Sequence, residues 1–349
     1  MRVISVKTGR PYNILIEAGI LKDCGKHIKK ISDAEKITVV TDSNVDKIYS
    51  KQVIDSLTEN GYKVKLHVFP AGEKNKRLNT ISDMYNTFAD FQMSRKDLVV
   101  ALGGGVTGDM AGFAAATYMR GIEFVQIPTS LLAQVDSSVG GKTGVDIEQG
   151  KNLVGAFWQP SLVLIDPNTL STLPERYIND GMAEVIKYGC IKDKNLFEIL
   201  ENNNALDIIE EIIEICVSIK RDVVNKDERE SGERMLLNFG HTLGHSLEKI
   251  YNFSKLSHGE AVAIGMVMIT KASEKLNITK AGSVEKIINL CKKYNLPIED
   301  AASLSEIAKV CSSDKKSSGG NVNLVLLKEI GESFTGKTPL DKLEEFISV

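Results

Sequence analysis

The sequence predicts an α/β domain built on a parallel sheet, followed by a mainly helical domain. In the first half, short apolar strands alternate with amphipathic helices, which is typical of a parallel sheet covered on both faces. In the second half, apolar residues recur at i, i+3 and i+4, as in 208–219, which indicates helices. Because 349 residues exceed what one hydrophobic core usually supports, we expect two domains, at 1–171 and 172–349.

The first domain begins with a predicted β-hairpin, since Gly9-Arg10-Pro11 separates two strand-like stretches. The alternating pattern then predicts strands at 36–41, 63–69, 97–102, 122–128 and 161–166, and helices near 21–30, 45–59, 76–91 and 110–119. In the second domain we expect a helix over 236–249, a buried helix at 261–269 and one short strand at 322–327.

Composition excludes several classes of protein. The net charge is −3 and the basic residues are scattered, which argues against nucleic-acid binding. The longest apolar run, 261–269, is far shorter than the ~20 residues of a membrane span, and no secretion signal is visible. The five cysteines form no Cys-x-x-Cys pair, so we expect free thiols in the cytoplasm and a metal site, if any, of imidazole and carboxylate.

A glycine-rich turn follows the strand at 97–102. Gly103, Gly105 and Gly108 have the G-x-G-x-x-G spacing between a strand and a helix, where backbone N–H groups can hold a pyrophosphate. The alternative is a turn that serves only close packing. Asp42, at the end of an earlier strand, is the candidate for holding ribose hydroxyls, with Glu73 and Lys76 as further candidates or members of a solvated turn.

A second glycine-rich stretch, 135–146, interleaves glycines with lysines and aspartates. It fits either an anion-binding loop or a hairpin with surface lysines. A P-loop is rejected, because Asp136 stands where the first glycine of that motif is needed.

Three histidines lie close together in the second half. His241 and His245 are four residues apart and share one face of a helix, and His258 precedes the next helix, so the three indicate a metal or catalytic site. The alternative is histidines satisfied within the core. Glu184 is a further candidate ligand because its neighbours are apolar, although a surface pair with Lys187 is an equal alternative.

Basic and amide side chains near these histidines suggest an anionic substrate. Arg234, Asn238 and His241 are expected along one helical ridge, and Lys220 points either inward or into solvent. If the polar groups converge, they form a pocket for a phosphorylated or carboxylated substrate; otherwise each is an exposed charge. The basic residues in question are Lys142, Lys187, Lys220, Arg234 and a lysine of 314–316.

The chain resembles the 3-dehydroquinate synthase family over essentially its full length. The motifs that carry this resemblance are residues 103–109, 128–143, 150–153, 238–245 and 258–260. The resemblance implies a Rossmann-like NAD-binding α/β domain, an all-α second domain, one divalent metal (zinc or cobalt) and a cytoplasmic homodimer. One departure is Asp146-Ile147-Glu148, where many members carry Asn-His, so the shape of that loop stays open.

The implied enzyme is a carbon–oxygen lyase that converts 3-deoxy-D-arabino-heptulosonate 7-phosphate to 3-dehydroquinate and phosphate in the shikimate pathway. In the implied reaction NAD accepts a hydride, phosphate leaves by β-elimination, and the hydride returns. Ring opening and an intramolecular aldol closure follow.

The resemblance also implies residue roles. It assigns Glu184, His241 and His258 to the metal and His245 to the substrate side. The implied substrate contacts are Asp136, Lys142, Asn152, Lys187, Lys220, Arg234, Asn238 and Lys315 or Lys316, with Arg120 reaching the neighbouring subunit's phosphate site. The implied NAD contacts are Asp42, Asn44, Glu73, Lys76, Gly104, Gly105, Val106, Thr107, Gly108, Asp109, Thr129, Ser130, Lys142, Lys151, Asn152, Thr169, Leu170, Ser171 and Thr172.

Three other functions compete with this one. Sister sugar-phosphate cyclases resemble the chain in its metal residues, but Arg234 and Asn238 keep the pattern that faces a substrate carboxylate. A metal-dependent polyol dehydrogenase, such as the glycerol dehydrogenase class, shares the fold but would release NADH. A non-enzymatic NAD or metal protein leaves the substrate-side lysines without a role.

Overall fold

The structure is a computed structural model that describes residues 1–315 and 320–348. It divides into two compact units. One unit comprises Met1–Leu173 with Lys220–Arg229, and the other comprises Pro174–Ile219 with Glu230–Val349. Residues 220–229 therefore group with the first unit, although the sequence prediction places them in the second domain.

The first unit contains a seven-stranded sheet with strand order β1-β2-β9-β6-β5-β3-β4. β1 and β2 form the expected antiparallel hairpin, and all other neighbours in the sheet are parallel. The strands are β1 (Arg2–Val6), β2 (Tyr12–Ile16), β3 (Lys36–Asp42), β4 (Lys63–Phe69), β5 (Leu98–Gly103), β6 (Glu123–Pro128) and β9 (Leu162–Ile165). The central strands consist mainly of Val, Ile and Leu because both faces of this sheet are buried.

Four α-helices accompany this sheet: α1 (Cys24–Lys29), α2 (Lys51–Glu59), α3 (Leu78–Asp90) and α4 (Gly105–Thr117). One apolar core includes residues of α1 and α2, and a second includes residues of α3 and α4. The predicted α/β class is confirmed. The helix predicted at 110–119 begins five residues earlier, so Gly105 to Asp109 belong to α4 and only Gly103 and Gly104 form the turn.

A separate hairpin of β7 (Lys142–Ile147) and β8 (Gly150–Phe157) contains the last residues of the second glycine-rich stretch, whereas its first residues lie in the π-helical turn Ala133–Ser137. The hairpin alternative is therefore the observed conformation for residues 142–146. Gly144 and Gly155 lie opposite each other, and a Cβ on Gly155 would stand 2.2 Å from the Thr143 carbonyl oxygen. The glycines thus allow the two strands to approach closely.

The second unit is mainly helical. Its helices are α5 (Glu175–Ile191), α6 (Lys194–Asn202), α7 (Ile209–Lys226, whose last residues belong to the first unit), α8 (His241–Ile250), α9 (His258–Lys275), α10 (Ser283–Lys293), α11 (Leu304–Lys315) and α12 (Leu343–Ile347). The predicted strand at 322–327 lies within β10 (Asn321–Glu329), which pairs with β11 (Glu332–Pro339). This hairpin makes the unit mainly, and not entirely, helical.

The continuous helix predicted over 236–249 is wrong. Residues Glu233–Asn238 form a 3₁₀ turn, and α8 begins only at His241. Gly240 separates the two with φ +80°, and a Cβ there would stand 2.7 Å from the Val262 carbonyl oxygen. The helix is therefore interrupted at Gly240, where only glycine allows the close approach of α9. Because of this interruption, Arg234 and Asn238 do not share a helical ridge with His241.

Among the described residues, no helix combines the length and the apolar character that crossing a membrane requires.

Candidate functional site

The nucleotide-site candidates of the first unit lie at the carboxyl edge of its sheet. Asp42 ends β3, Gly103 ends β5, and Thr129 and Ser130 follow β6. β4 and β5 lie on opposite sides of β3, so the order in which successive strands are added to the sheet reverses between β3 and β5. Ligands of open parallel sheets bind outside the carboxyl ends of the strands at such a point. The fold thus brings Asp42 and the glycine turn to the same edge.

The glycine turn is shaped by close approaches. A Cβ on Gly104 would stand 3.2 Å from Ser130 Oγ, and one on Gly108 would stand 2.6 Å from Gln126 Oε1. Gly108 therefore lets α4 pack against the sheet, and Gly104 keeps the approach to the start of α4 open. The N–H groups of the first turn of α4 point toward this opening, as anion sites at helix N-termini require.

Several predicted NAD contacts bind one another in the structure. Lys76 is buried, and its Nζ donates to Asp109 Oδ2 and Asn152 Oδ1 at 2.6 Å each. Burial by itself lowers the pKa of Lys76, but the charges of Asp109 and Glu73 outweigh it and raise that pKa. Asp146, the residue at the family departure, accepts the N–H of Asn152 at 2.8 Å. Lys76 thereby links the β7–β8 hairpin, through Asn152, to Asp109 of α4.

Other predicted NAD contacts have structural partners. Asp42 Oδ1 accepts the N–H groups of Asn44 at 2.8 Å and Val45 at 3.3 Å. Thr169 is buried, and its hydroxyl lies between Gln134 Nε2 and the Asp166 carbonyl at 2.9 Å from each. The predicted contacts at 169–172 form one 3₁₀ turn with Leu170 buried and Ser171 exposed. Lys151 Nζ lies 3.5 Å from Glu73 Oε1.

The predicted substrate contacts of the first unit divide into a buried pair and exposed cations. Lys220 points inward, where its ammonium pairs with the Asp136 carboxylate. Lys142 is exposed at the start of β7, and Arg120 is exposed with φ +69°. Arg120 follows Met119, which also has a positive φ of 50°, so this turn holds its backbone in a conformation that L-residues rarely adopt.

In the second unit, Glu184, His241 and His258 come together from α5, α8 and the first turn of α9. Glu184 Oε1 lies 3.3 Å from His241 Nε2 and 3.5 Å from His258 Nε2. Tetrahedral zinc with ligand bonds of about 2.0–2.2 Å places its donor atoms roughly 3.4 Å apart. Both distances from Glu184 match this spacing, and the ligand atoms of all three side chains lie within 4.8 Å of one another.

Glycines allow the three helices to approach closely enough for this cluster. A Cβ on Gly259 would stand 2.1 Å from the Asp180 carbonyl oxygen of α5. A Cβ on Gly265 of α9 would stand 2.0 Å from the Gly240 carbonyl oxygen. Ser257 caps α9 in a capping box with Glu260, which fixes where His258 enters the first turn. The His-Gly-Glu motif thus combines a ligand, a close contact and a helix cap.

The surroundings of the cluster fit a divalent cation. Glu184 is buried; its Oε2 pairs with Lys187, whereas its Oε1, which faces both histidines, has no hydrogen bond of good geometry from a described residue. His241 Nδ1 lies 3.1 Å from the Phe239 carbonyl oxygen, and His258 Nδ1 lies 3.7 Å from Glu248 Oε2. In this arrangement the Nε2 atom of each histidine faces Glu184, and an oxygen lies near its Nδ1 atom. Metal-ligating histidines usually have such a partner on the second nitrogen.

Electrostatics hold the cluster charged. Burial raises the pKa of Glu184, but the charges of Lys187 and His241 overcome this and hold that pKa well below its ordinary value. Burial lowers the pKa of His258, but the flanking carboxylates Glu184 and Glu248 raise it to about 10. A proton on His258 therefore offsets part of the negative charge of the two acids when no metal is bound.

This proton makes metal binding pH-dependent. Because the pKa of His258 rises from 6.5 to about 10 on folding, its stabilising effect is complete below pH 6.5 and is lost as the pH rises through about 10. A metal must displace the same proton, so we expect metal affinity to rise roughly tenfold per pH unit between about pH 6 and 8. Competition with a chromophoric chelator would measure this, and an affinity that does not change with pH would contradict it.

The remaining candidates of the second unit differ in their surroundings. Lys187 is buried one turn from Glu184 and pairs with it, so the pair is not the surface pair of the alternative prediction. Arg234 is buried, and Asn238 donates to Glu230 Oε1 at 2.8 Å. His245 is exposed on α8. Lys316 and the side chain of Lys315 lie outside the described residues.

The sequence predictions missed Glu248. It is buried on α8, with Oε2 at 3.7 Å from His258 Nδ1 and 3.9 Å from His245 Nε2. A signal for it existed in the i, i+4, i+7 spacing of His241, His245 and Glu248, which places all three on one helical face.

Comparisons with known proteins agree on one family. Residues 66–180 match the family model described as 3-dehydroquinate synthase N-terminal, and residues 181–317 match the one described as 3-dehydroquinate synthase C-terminal. A 3-dehydroquinate synthase of Clostridium acetobutylicum is 50% identical and covers 100% of both chains. One of Clostridium perfringens is 51% identical over 99% of this chain and 100% of its own.

A solved structure supports the same fold. The 2-epi-5-epi-valiolone synthase of Streptomyces hygroscopicus subsp. jinggangensis, with NAD⁺ and Zn²⁺ bound, superposes with a TM-score of 0.88. It is 25% identical, and the match covers 100% of this chain and 98% of that one.

Proposed function

The chain belongs to the 3-dehydroquinate synthase family, and from that premise we propose the reaction and the roles of its residues. The reaction is conversion of 3-deoxy-D-arabino-heptulosonate 7-phosphate to 3-dehydroquinate and phosphate, by a carbon–oxygen lyase. The observation that carries the proposal is the Glu184, His241 and His258 cluster, whose ligand atoms lie within 4.8 Å of one another, as those of one metal site must.

The cofactors of the proposed reaction are NAD and one divalent ion, zinc or cobalt. When bound, they supply reversible hydride transfer and Lewis-acid polarisation of a substrate oxygen. The NAD⁺ and Zn²⁺ bound to the valiolone synthase support this choice. In this chain Glu184, His241 and His258 hold the metal. Asp42 and the glycine turn before α4 hold the nucleotide, since they share the carboxyl edge of the parallel sheet.

The other residues bind and orient the substrate. Lys187 lies beside Glu184 and supplies a fixed positive charge next to the metal ligands, while the exposed His245 serves proton transfer on the substrate side. Arg234, Asn238, Lys142, Asn152 and one of Lys315 or Lys316 recognise the carboxylate and phosphate. Lys220 and Asp136 act as a buried pair, in which each fixes the other's position.

Assembly and location follow the family expectation. We include in the proposal a homodimer in which the exposed Arg120 reaches the neighbouring subunit's phosphate site. All five cysteines are buried thiols outside any disulfide, which supports a reducing, cytoplasmic location.

One assay tests the reaction. The purified protein is incubated with the heptulosonate phosphate, zinc and a trace of NAD. We expect one phosphate released per substrate, in amounts far above the NAD present, without net NADH, because the hydride returns to the product. Net NADH formed with glycerol, and no phosphate released from the heptulosonate phosphate, would instead identify a polyol dehydrogenase.

The buried lysine of the nucleotide site offers a second test. Lys76→Met keeps most of the side-chain volume but leaves Asp109 and Asn152 without the ammonium. We expect a loss of about 1–3 kcal/mol in unfolding free energy and weaker NAD binding. Urea unfolding and NAD titration measure the two effects. Lys74→Met, at an exposed neighbouring position, is the matched control, and equal behaviour of the two variants would argue against the role of Lys76.

A further inference from the structure

One face of α8 presents His241, His245 and Glu248 to the first turn of α9. The ring of His258 lies against this face, with its centroid 5.1 Å from that of His241 and 5.8 Å from that of His245. His258 therefore stands between two carboxylates: Glu184 lies 3.5 Å from its Nε2, and Glu248 lies 3.7 Å from its Nδ1. The two ring nitrogens face different acids.

Glu248 has no role in the function proposed above, although its burial requires an explanation. Only 2% of its side chain is exposed, and an isolated buried carboxylate is costly unless charged or hydrogen-bonding groups compensate it. The same oxygen, Oε2, faces both His258 Nδ1 and His245 Nε2, at 3.7 and 3.9 Å. One buried carboxylate is thus shared by a metal-ligand candidate and the substrate-side histidine.

Two interpretations of Glu248 compete. His245, Glu248 and His258 also place their ligand atoms within 4.8 Å of one another, so a second metal position is conceivable. Filling it together with the first position would require His258 to bind metal through both nitrogens. A neutral imidazole has only one nitrogen lone pair available, because its other nitrogen carries the proton. A carboxylate behind Nδ1 requires no further deprotonation, and it is the usual partner of a metal-ligating histidine.

We propose that Glu248 is a positioning residue that serves His258 and His245 together. Its carboxylate attracts the Nδ1–H of His258 and so turns the Nε2 lone pair toward Glu184 and His241. The same carboxylate orients His245 on the adjoining turn of α8, which couples the metal site to the substrate-side histidine. This inference rests on the proposed metal triad and adds a residue outside it.

Metal binding without substrate or NAD tests the first part of the inference, that Glu248 orients His258 toward the metal. The full-length wild type, Glu248→Gln and Glu248→Asp are compared for zinc affinity by chelator competition and for the visible absorption of bound Co²⁺. We expect Glu248→Gln to weaken zinc binding about 10- to 100-fold and to change the cobalt spectrum. Glu248→Asp keeps the charge and should recover part of the affinity. Glu285→Gln, at an exposed position on α10, should match the wild type.

Three other results of these measurements would overturn the inference or the metal site on which it rests. Wild-type affinity and an unchanged cobalt spectrum in Glu248→Gln would overturn the inference while leaving the metal triad intact. Two metal equivalents in the wild type and one in Glu248→Gln would make Glu248 a ligand, which also overturns it. A wild type that binds no metal would overturn the proposed site itself. If Glu248→Gln does not fold, Glu248→Met, which also removes the carboxylate, takes its place, and wild-type zinc affinity in that variant would refute the inference.

A double-mutant cycle at saturating metal tests the second part of the inference, that Glu248 also orients His245. If Glu248 orients His245, Glu248→Gln lowers kcat in the wild-type background but has little further effect on kcat in His245→Ala. Equal fold-losses in the two backgrounds would show that the residues act independently and would refute the coupling.

Discussion

Replacing His241 with alanine is expected to abolish metal binding and activity together. His241 Nε2 lies 3.3 Å from Glu184 Oε1, and its Nδ1 lies 3.1 Å from the Phe239 carbonyl oxygen, so the variant removes one of the three candidate ligand atoms. Because Lewis-acid stabilisation contributes several kcal/mol, turnover should fall about 1000-fold or more. Metal content after gel filtration and phosphate release measure the two effects.

Two further histidine variants complete this experiment. His245→Ala removes an exposed side chain four residues away on the same helix. It should retain the metal and slow turnover by about 100-fold or more, the scale of general acid–base catalysis. His27→Ala, in α1, should change neither property. If His245→Ala loses the metal and His241→Ala keeps it, the division of roles between the two histidines is wrong.

Replacing Gly259 with alanine should destabilise the second unit and disrupt its metal site at once. The added Cβ would stand 2.1 Å from the Asp180 carbonyl oxygen, which is backbone and can yield only if α9 moves away from α5. That movement separates His258 from Glu184. We expect a loss of about 1–3 kcal/mol in unfolding free energy, as for other overpacked sites, and zinc affinity lowered roughly tenfold or more.

The control for this variant is Gly282→Ala. No atom lies within 4 Å of the Cβ that this substitution adds, but the backbone there has φ +86°, which strains an alanine. It should cost about 1–2 kcal/mol and leave zinc affinity unchanged. Thermal unfolding of the metal-free proteins and chelator competition separate strain from ligand displacement. Wild-type zinc affinity in Gly259→Ala would show that the α5–α9 contact does not position His258.

The sequence was a good guide where a local pattern has one physical meaning. Runs of Val, Ile and Leu predicted the buried strands of the sheet, because a strand covered on both faces needs apolar residues throughout. The i, i+4 spacing placed His241 and His245 on one helix, and the structure confirms this. The motifs of the family resemblance were sufficient to identify the family, as the comparisons confirm.

The sequence failed where distant contacts override the local pattern. The spacing of the histidines was interpreted with one helix over 236–249, but that helix is broken at Gly240, which α9 approaches closely. The glycines of 103–109 suggested a long turn, yet Gly105 and Gly108 lie within α4, where Gly108 allows the helix to pack against Gln126. In both cases the neighbour that decides the conformation is remote in sequence, so a local window does not contain it.

The sequence by itself determined the order of strands and helices, the family and the identity of most candidate residues. Only the tertiary structure decided that Lys220 points inward to Asp136, that Lys76 is buried between Asp109 and Asn152, and that Glu248 faces two histidines. The physical reason is that a charged side chain is buried only where its partners are. Those partners come from segments that the folded chain alone brings together.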